Sequence, residues 1–280
     1  MHTIAHISDI HFGRVDDAVA EGLVRDLSEH KYDLLVMSGD FTQRARERQY
    51  ANAAAYMKRF AGPQLVVPGN HDIPLYDVVR RFFFPLSRYR RLITKDLRPF
   101  HYDTDGHLAV LGINTARSWT WSWDGFWKDG HISEEQLLDV KLRMCDLPPT
   151  CFKIVVTHHP FIPPPGERVH GIVHGAKRAL DMMESCGVDM LIAGHLHMGY
   201  SGDVRTHHEA VKRSILSVQA GTAISTRRRT EPNAYNLITV SRDRVTIHVR
   251  TYQNGAFATR TITHFSRRDD AWHQDTPAAP

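Results

Sequence analysis

Short apolar runs recur along the chain, and each ends in a polar turn that contains Gly, Asp or His. Runs of this length, rich in Val, Ile and Leu and bounded by turn residues, are typical of buried β-strands. Several of the segments between them have apolar residues at helical spacing. The predicted strands are 3–7, 34–37, 65–67, 108–113, 152–156 and 190–193, and the predicted helices are 16–29, 43–60, 133–144 and 175–185. Strands that alternate with helices predict an α/β core.

The chain becomes β-rich after about Gly199. Further strands are predicted at 214–219, 235–240, 245–252 and 257–264, with hairpin turns at 241–244 and 253–255. We expect these strands to form a second sheet that packs on the first. The apolar pattern stops at Ser266, so we predict a single domain over residues 1–265 and a disordered tail over residues 266–280.

The composition indicates a folded protein with acid–base or metal chemistry. Of 280 residues, 42% are hydrophobic, which is enough for a sizeable core and excludes a disordered chain. Lys and Arg number 35 and Asp and Glu 31, so the net charge of +4 suits an anionic substrate without requiring nucleic acid. The 19 histidines favour proton transfer or metal ligation.

The cysteines and the N-terminus bear on location. Cys145, Cys151 and Cys186 are an odd number without a Cys-x-x-Cys pair, which argues against a disulfide framework and a thiolate zinc site. We therefore predict a reducing, cytoplasmic environment. Residues 1–9 lack the basic start and apolar run of a signal peptide, and no window reaches the ~18 apolar residues of a membrane-spanning helix.

Polar side chains follow five of the predicted strands at the point where each strand ends. These segments are Ser8-Asp9-Ile10-His11, Ser38-Gly39-Asp40, Pro68-Gly69-Asn70-His71-Asp72, Thr157-His158-His159-Pro160 and Gly194-His195-Leu196-His197. In open α/β sheets ligands bind beyond the carboxyl ends of the strands. We therefore expect these segments to converge at one edge.

The residue types in these segments indicate metal ions. Carboxylate, amide and imidazole groups without thiolate favour borderline divalent ions such as Mn²⁺, Fe²⁺ or Zn²⁺. The candidate ligands are Asp9, His11, Asp40, Asn70, His158, His195 and His197. Seven ligands are too many for one tetrahedral ion but would fill two sites ~3.5–4 Å apart if one carboxylate bridged them. Such a pair clamps the attacking and leaving oxygens of a displacement, which predicts hydrolysis at phosphorus.

The order Asp-x-His, Gly-Asp, Gly-Asn-His-Asp, His and Gly-His-x-His, spanning Asp9 to His197, resembles the five motif blocks of the calcineurin-like metallophosphoesterases. The resemblance implies an α/β fold: a four-layer αββα sandwich of two mixed β-sheets flanked by helices, with a dinuclear metal centre at the C-terminal ends of the strands. It also implies two divalent metal ions as cofactors, Mn²⁺, Fe²⁺ or Fe³⁺, or Zn²⁺.

The resemblance further implies a role for each site residue. Asp9, His11 and His197 would hold the first metal, Asn70, His158 and His195 the second, and Asp40 would bridge them. His71 would be the catalytic histidine that stays off the metals, contacts the phosphate and assists the leaving oxygen, and Asp72 would orient it.

Local spacing is compatible with these roles. Asp9 and His11 are two residues apart, so in extended backbone both side chains can point to one side. Gly69 and Gly194 would let the chain turn sharply just before the ligands. An imidazolium at His71 could donate a proton, and an adjacent carboxylate is the usual way to hold it protonated.

Two further residues are candidates for substrate binding, alongside Asn70 and His71. His159 either lines the substrate side of the site or caps the turn. Arg227 follows a Gly221-Thr222 segment that resembles bacterial class III cyclic-nucleotide phosphodiesterases. It either binds the substrate or belongs to a solvated charge run with its arginine neighbours.

The segment 119–127 holds four of the five tryptophans. It could stack on a base, contact an acyl chain at a membrane surface, form a subunit interface, or pack on the protein itself. Peripheral membrane contact and a homodimer are therefore both open.

The combined expectation is a phosphodiesterase that acts on a small phosphorylated substrate, such as a 3′,5′-cyclic nucleotide, through a hydroxide activated by two metals. The alternatives are a pyrophosphatase for a nucleotide-lipid such as a UDP-acylglucosamine, a nuclease, and a catalytically silent scaffold. The intact His71-Asp72 pair argues against the scaffold.

Overall fold

A computed structural model describes residues 1–118, 129–163, 172–206, 213–228 and 231–276. The tryptophan-rich segment 119–127, and with it the predictions made for it, lies outside the described residues.

Every predicted strand and helix is present, and within the described residues five strands and two helices that were not predicted lie among or after them. The strands are β1 (His2–Ile7), β2 (Leu34–Met37), β3 (Gln64–Val66), β4 (Phe100–Tyr102), β5 (Leu108–Gly112), β6 (Gly130–His131), β7 (Phe152–Val156), β8 (Val173–His174), β9 (Met190–Ala193), β10 (Tyr200–Asp203), β11 (Leu216–Gln219), β12 (Ala234–Val240), β13 (Arg244–Gln253), β14 (Ala256–Arg268) and β15 (Ala271–Gln274). The helices are α1 (Asp17–Glu29), α2 (Glu47–Met57), α3 (Val78–Phe83), α4 (Ser87–Leu92), α5 (Glu134–Val140) and α6 (Ala176–Ser185). In the described parts of the chain, no helix combines the length and apolarity needed to cross a bilayer.

The described strands form two large mixed sheets and one small one. The seven-stranded sheet has the order β15-β14-β13-β12-β1-β2-β3, with β1, β2 and β3 parallel. The six-stranded sheet has the order β10-β11-β9-β7-β5-β4, with its four central strands parallel. β6 and β8 form a separate two-stranded sheet.

Three apolar clusters hold the layers together. One lies between the two large sheets, where Ile4 of β1 and Ile154 of β7 are fully buried. A second packs α1 and α2 on the outer face of the seven-stranded sheet through residues such as Leu23. A third packs α5 and α6 on the outer face of the six-stranded sheet through residues such as Leu180. The fold is therefore the predicted four-layer αββα sandwich.

The placement of the later strands differs from the prediction. β12, β13 and β14 do not build the second sheet; they extend the first, because β12 pairs antiparallel with the free side of β1. Only β10 and β11 join the second sheet. The predicted hairpin turn between β13 and β14 is confirmed, and its residues Asn254 and Gly255 have φ values of +52° and +87°, typical of a tight two-residue hairpin.

The prediction of a disordered tail from Ser266 is wrong over residues 266–274. These residues complete β14 and form β15, which pairs antiparallel with it. Trp272 is buried and packs against Phe152 of the other sheet, with the ring centroids 6.0 Å apart. A strand anchored by one tryptophan has too few apolar residues to show in the apolar pattern.

The prediction that no disulfide forms is also wrong. Cys145 and Cys186 are bonded to each other, and Cys151 is a free, buried thiol. The two bonded cysteines are 41 residues apart and meet because one lies just beyond α5 and the other just beyond α6, helices that pack side by side on the same sheet. The cysteine argument for a reducing compartment therefore falls away, and the cytoplasmic location stays a prediction.

Candidate metal centre

All seven predicted ligands lie together at the carboxyl ends of the parallel strands. Asp9, Asp40 and Asn70 follow β1, β2 and β3 of one sheet. His158 and His195 follow β7 and β9 of the other sheet, and His197 lies two residues further on. The site therefore straddles the top of the gap between the two sheets, which is where the sequence motifs predict convergence.

The backbone at the ligands is left-handed rather than extended. The φ values are +55° at Asp9, +44° at His11, +55° at Asp40, +72° at His195 and +57° at His197. Residues other than glycine seldom adopt this conformation, which costs of order 1–3 kcal/mol each and clusters at functional sites. The prediction that extended backbone aims Asp9 and His11 is thus wrong: left-handed turns aim this pair, and also His195 and His197.

Hydrogen bonds between the loops hold this backbone in place. The amide of Asp9 donates to the carbonyl of Gly39 at 3.2 Å, and the amide of His11 donates to the carbonyl of Asp40 at 2.9 Å. The amide of His195 donates to Asp9 Oδ2 at 3.0 Å, across the two sheets. The strained backbone at one ligand is therefore stabilised by hydrogen bonds to a loop that carries another ligand.

Asp9, His11 and His197 form the first group of donor atoms. Asp9 Oδ1 lies 3.5 Å from His11 Nε2 and 3.8 Å from His197 Nε2. The other carboxylate oxygen, Oδ2, accepts hydrogen bonds from the Ser8 hydroxyl and the His195 amide. Only Oδ1 of Asp9 is thus turned toward the two imidazoles.

His158, Asn70 and His195 form the second group. His158 Nε2 lies 3.2 Å from Asn70 Oδ1 and 3.2 Å from His195 Nδ1. Asp40 stands between the groups, with Oδ1 3.5 Å from His158 Nε2 and Oδ2 3.6 Å from His11 Nε2. This division agrees with the predicted ligand sets and with a bridging role for Asp40.

Two glycines leave room for the carboxylates. A Cβ on Gly69 would lie 2.2 Å from Asp40 Oδ1, and a Cβ on Gly194 would lie 1.8 Å from Ser8 Oγ. Gly69 has a φ of −105°, which any residue can adopt, and Gly194 is not among the glycines with positive φ. Contrary to the sequence-based interpretation, both positions require glycine for space rather than for a sharp turn.

Unpartnered buried atoms show that the donor set fits metal ions. Within the described residues, Asp9 Oδ1 and His11 Nε2 are both buried and neither has a hydrogen-bond partner. Such orphaned polar atoms are costly unless another group satisfies them. Ligand atoms of Asp9, His11 and His197, and of Asp9, Asp40 and His158, lie within 4.8 Å of one another. Oxygen and imidazole donors at this spacing fit two divalent ions.

The far sides of three of the four histidine rings are fixed by a second contact. Nδ1 of His11 donates to the carbonyl of Thr42 at 3.4 Å, and Nδ1 of His158 donates to the carbonyl of Ser38 at 2.7 Å. Nδ1 of His197 contacts the hydroxyl of Thr222. These contacts select the tautomer that leaves Nε2 free to bind a metal.

The protonation states also suit metal binding. Burial by itself would raise the pKa of Asp9. The neighbouring His197 and His11 lower it by more than that, so the pKa lies below its usual value and the carboxylate stays ionised. Burial lowers the pKa of His195 to about 3, helped by the charge on His158. Against the burial effect, the Asp40 carboxylate raises the pKa of His158 to about 9. A cation placed between Asp40 and His158 would displace that proton.

Asp72 has a different place from the one predicted. Its Oδ2 accepts from the amides of Phe41 and Gly69 at 3.1 and 2.9 Å, and its Oδ1 accepts from the amide and the hydroxyl of Thr42 at 3.0 and 3.1 Å. Burial and the charge of Asp40 raise the pKa of Asp72, whereas these hydrogen bonds favour its ionised form. Asp72 therefore ties the loop after β2 to the loop after β3 and does not orient the imidazole of His71.

His71 is held by Gln43 and contacted by Arg227. Its Nδ1 donates to the carbonyl of Gln43 at 3.0 Å, and its Nε2 accepts a hydrogen bond from Arg227 Nη1. Burial lowers the pKa of His71 to about 4, and the charge of Arg227 lowers it as well, so the ring is neutral here rather than the expected imidazolium. The structure thus brings Arg227, predicted from its neighbouring segment, into contact with His71.

His159 lies beside the second donor group. It is fully buried, its ring centroid is 4.5 Å from that of His195, and its Nδ1 is 2.8 Å from the Thr115 hydroxyl. Its carbonyl also accepts from the Thr157 hydroxyl at 2.8 Å, which closes the turn. Of the two predicted roles, the structure thus shows the capping of the turn, which the backbone carbonyl of His159 performs.

Several supporting residues were missed from the sequence. Ser8 orients Asp9, Thr42 anchors Asp72, Gln43 holds His71 and Thr222 holds His197. Each of these residues lies in or near one of the segments that the sequence analysis identified. A hydroxyl next to a predicted ligand is the sequence signal that could have identified Ser8.

Known proteins resemble this chain in sequence motifs and in fold. A family model described as calcineurin-like phosphoesterase matches residues 2–199. The structure of PhoD superposes with a TM-score of 0.72 at 10% identity, covering 99% of this chain and 72% of that chain. A dimetal phosphatase from Danio rerio superposes with a TM-score of 0.64 at 13% identity, covering 93% of this chain and 98% of that chain.

The purple acid phosphatase PPD1 from yellow lupin (Lupinus luteus) seeds gives a TM-score of 0.64 at 11% identity, covering 99% of this chain and 57% of that chain. At these identities the likeness concerns the fold. No curated protein sequence matches this chain significantly. Because the family model covers well over half of the residues, including all five motifs, the chain belongs to the calcineurin-like phosphoesterases, a family of metal-dependent phosphoester hydrolases.

Proposed function

We propose that this metallophosphoesterase is a phosphodiesterase. The observation that carries the proposal is the contact of Arg227 Nη1 with His71 Nε2 at the edge of the two donor groups. A guanidinium there can bind a phosphate oxygen directly. One such cation matches the single negative charge of a diester better than the double charge of a monoester.

Two divalent ions bound by the donor groups would supply Lewis acidity at phosphorus and lower the pKa of a bound water toward neutrality. Asp40, with one oxygen toward each donor group, would be shared by the two ions. The Ser8 hydroxyl and the His195 amide hold Asp9 so that it cannot rotate away.

His71 serves the leaving group. Its Nδ1 stays bonded to the Gln43 carbonyl, so the ring presents Nε2 to the substrate. When a phosphate binds, Arg227 turns to the phosphate oxygens, and the negative charge favours protonation of Nε2. The leaving alkoxide then takes its proton from Nε2.

A 3′,5′-cyclic nucleotide is the proposed substrate. The support is the Gly221-Thr222 segment, which resembles that of class III cyclic-nucleotide phosphodiesterases and in which Thr222 contacts the predicted ligand His197. A nucleotide-lipid is the second candidate, favoured by the exposed phenylalanines of α3, which follows the loop that carries His71.

Turnover by the Mn²⁺-loaded protein tests the proposal. The kcat/KM values for bis(p-nitrophenyl) phosphate, p-nitrophenyl phosphate, cyclic AMP and UDP-diacylglucosamine are compared at one pH. We expect the diester to exceed the monoester by at least about tenfold, the effect of one charged hydrogen bond worth ~1.5 kcal/mol. A higher value for the monoester would contradict the phosphodiesterase assignment, and turnover of only the nucleotide-lipid, with detergent dependence, would replace the cyclic nucleotide.

A further inference from the structure

A run of large apolar side chains lies on the surface just after the catalytic loop. We define the α3 patch as Tyr76, Val78, Val79, Phe82, Phe83 and Phe84, whose exposed fractions are 74%, 59%, 65%, 46%, 73% and 61%. Soluble proteins seldom expose so many large apolar residues together unless the surface binds something. Among the described residues, the other exposed large apolar side chains are Met1, Tyr102, Leu138, Leu142 and Ile262, of which only Leu138 and Leu142 are near each other in sequence.

The patch is held facing outward by polar anchors. Asp77 caps α3 by accepting from the amide of Arg80 at 3.1 Å. Arg81, on the same helix, is buried and donates to the carbonyl of Pro74 at 3.1 Å. The next helix buries Tyr89 in the core. The buried arginine thus takes the inward position on α3, and the phenylalanines stay outside.

The surroundings of the patch are cationic. Residues 76–96 contain six Lys or Arg and two Asp. Four of the six are exposed, of which Arg80 and Arg91 are paired with acidic residues and Arg90 and Lys95 have no ion pair to a described residue. In contrast, exposed Leu138 and Leu142 lie in residues 134–146, which contain four acidic and two basic residues. Of these two exposed apolar segments, the α3 patch is the one with an excess of positive charge.

We propose that the α3 patch binds an anionic lipid surface, with its aromatic and valine side chains at the boundary of headgroups and acyl chains and the arginines among the headgroup phosphates. Amphipathic segments with aromatic and basic residues bind membrane surfaces in this way, and each nearby Lys or Arg adds to the attraction. A second copy of the chain is disfavoured as the occupant, because a symmetric dimer would bring two cationic patches together.

The patch is joined to the catalytic loop. The guanidinium of Arg44 lies over the ring of Tyr76, 5.6 Å from its centroid. Arg44 follows Gln43, whose carbonyl holds His71, and Arg88 of α4 donates to the carbonyl of Ala45 at 2.8 Å. Lipid binding at the patch would therefore bring the mouth of the site to the bilayer, whichever phosphoester the protein cleaves.

Vesicle sedimentation tests the inference independently of catalysis. The full chain and its Asp40→Asn variant are mixed with phosphatidylcholine vesicles with and without phosphatidylglycerol. We expect both proteins to bind only the anionic vesicles, and binding to fall as NaCl rises from about 0.1 M to about 1 M, where the screening length shrinks to ~3 Å. A Val79→Ser, Phe83→Ser, Phe84→Ser variant should bind at least about tenfold more weakly. Leu138→Ser, Leu142→Ser is the matched control and should bind normally.

Three results would overturn the inference. They are absence of binding to anionic vesicles, equal binding by the α3-patch variant and the wild type, and a fall in solution mass caused by the patch variant, which would instead indicate a protein interface. Absence of turnover by the metal-loaded wild type, with normal vesicle binding, would count against the proposed function and leave the lipid-binding surface intact.

Discussion

Arg227 donates a hydrogen bond from Nη1 to Nε2 of His71, although the two residues are 156 positions apart in the chain. The loop that carries Arg227 is held against the ligand loop, because the amide of Ala223 donates to the carbonyl of Ser8 at 3.0 Å. Folding therefore places a cation beside the neutral imidazole of His71, for which we propose a catalytic role.

Replacing Arg227 with glutamine should weaken substrate binding and catalysis together. A hydrogen bond from a charged group contributes ~1.5–3 kcal/mol, so kcat/KM should fall by about 10- to 100-fold. Steady-state kinetics on bis(p-nitrophenyl) phosphate measure it. Arg228→Gln is the matched control, since Arg228 contacts Asn233 rather than His71. Equal losses of kcat/KM in both variants would show that the positive charge of the loop matters, rather than the contact of Arg227 with His71.

Asp72→Asn should lower the free energy of unfolding as well as activity. Both carboxylate oxygens of Asp72 now accept from backbone N–H groups, one from Thr42 and the other from Phe41 and Gly69. In either orientation of the asparagine, its NH₂ group would replace one of these acceptors and face an N–H group. Each buried donor left without an acceptor costs ~1–3 kcal/mol. Urea unfolding of the metal-loaded protein measures the change. Unchanged stability with a shifted acidic limb of the pH–rate profile would restore the role of Asp72 as the partner of His71.

Gly69→Ala should weaken metal binding. The new Cβ would lie 2.2 Å from Asp40 Oδ1, so the carboxylate must move. Displacing the support of a ligand typically costs about 10- to 100-fold in metal affinity. The control is Gly221→Ala, where the nearest atom to a new Cβ is 3.8 Å away. Titration with Mn²⁺ compares the two, and equal affinities would show that the loop relaxes without cost.

The metal-free protein should lose stability as the pH falls below about 6.5. His6 is buried between the sheets, where desolvation lowers its pKa from 6.5 to about 3. Between these two values the unfolded chain binds a proton that the folded chain does not, so the free energy of unfolding decreases as the pH falls, by up to ~1.4 kcal/mol per pH unit for this group. Urea unfolding in the presence of a chelator measures the slope.

His6→Gln should make this slope shallower, because glutamine does not titrate. His264→Gln, at an exposed position on β14, should leave it unchanged. A slope that is the same in all three proteins would mean that His6 does not contribute.

The alternation of apolar runs and turns was sufficient to predict an α/β core and the meeting of seven ligands, because burial sets the strands and the carboxyl ends of parallel strands share an edge. The four layers were predicted from the resemblance of the motifs to a known family. Ser133 followed by Gln136 three positions later is the sequence pattern of a capping box, and the two residues bond reciprocally at the start of α5. A feature that depends on residues close together in the sequence can therefore be predicted from local spacing.

Features that depend on tertiary packing were not predictable. The left-handed backbone at Asp9 and Asp40 is imposed by hydrogen bonds between loops that are distant in sequence. The Cys145–Cys186 bond follows from the packing of α5 on α6, and β15 follows from one buried tryptophan. The role of Asp72 was wrong because adjacency in sequence to His71 does not mean contact between the side chains.

The metal content and turnover of the Asp40→Asn variant test the dinuclear site most directly, with Asp105→Asn as a carboxylate-to-amide control away from the site. We expect the wild type and the control to bind two ions per chain, and Asp40→Asn to bind fewer and to lose at least about 100-fold in turnover of bis(p-nitrophenyl) phosphate. Two bound ions and normal turnover in Asp40→Asn would contradict a bridging role for Asp40 and, with it, the dinuclear mechanism.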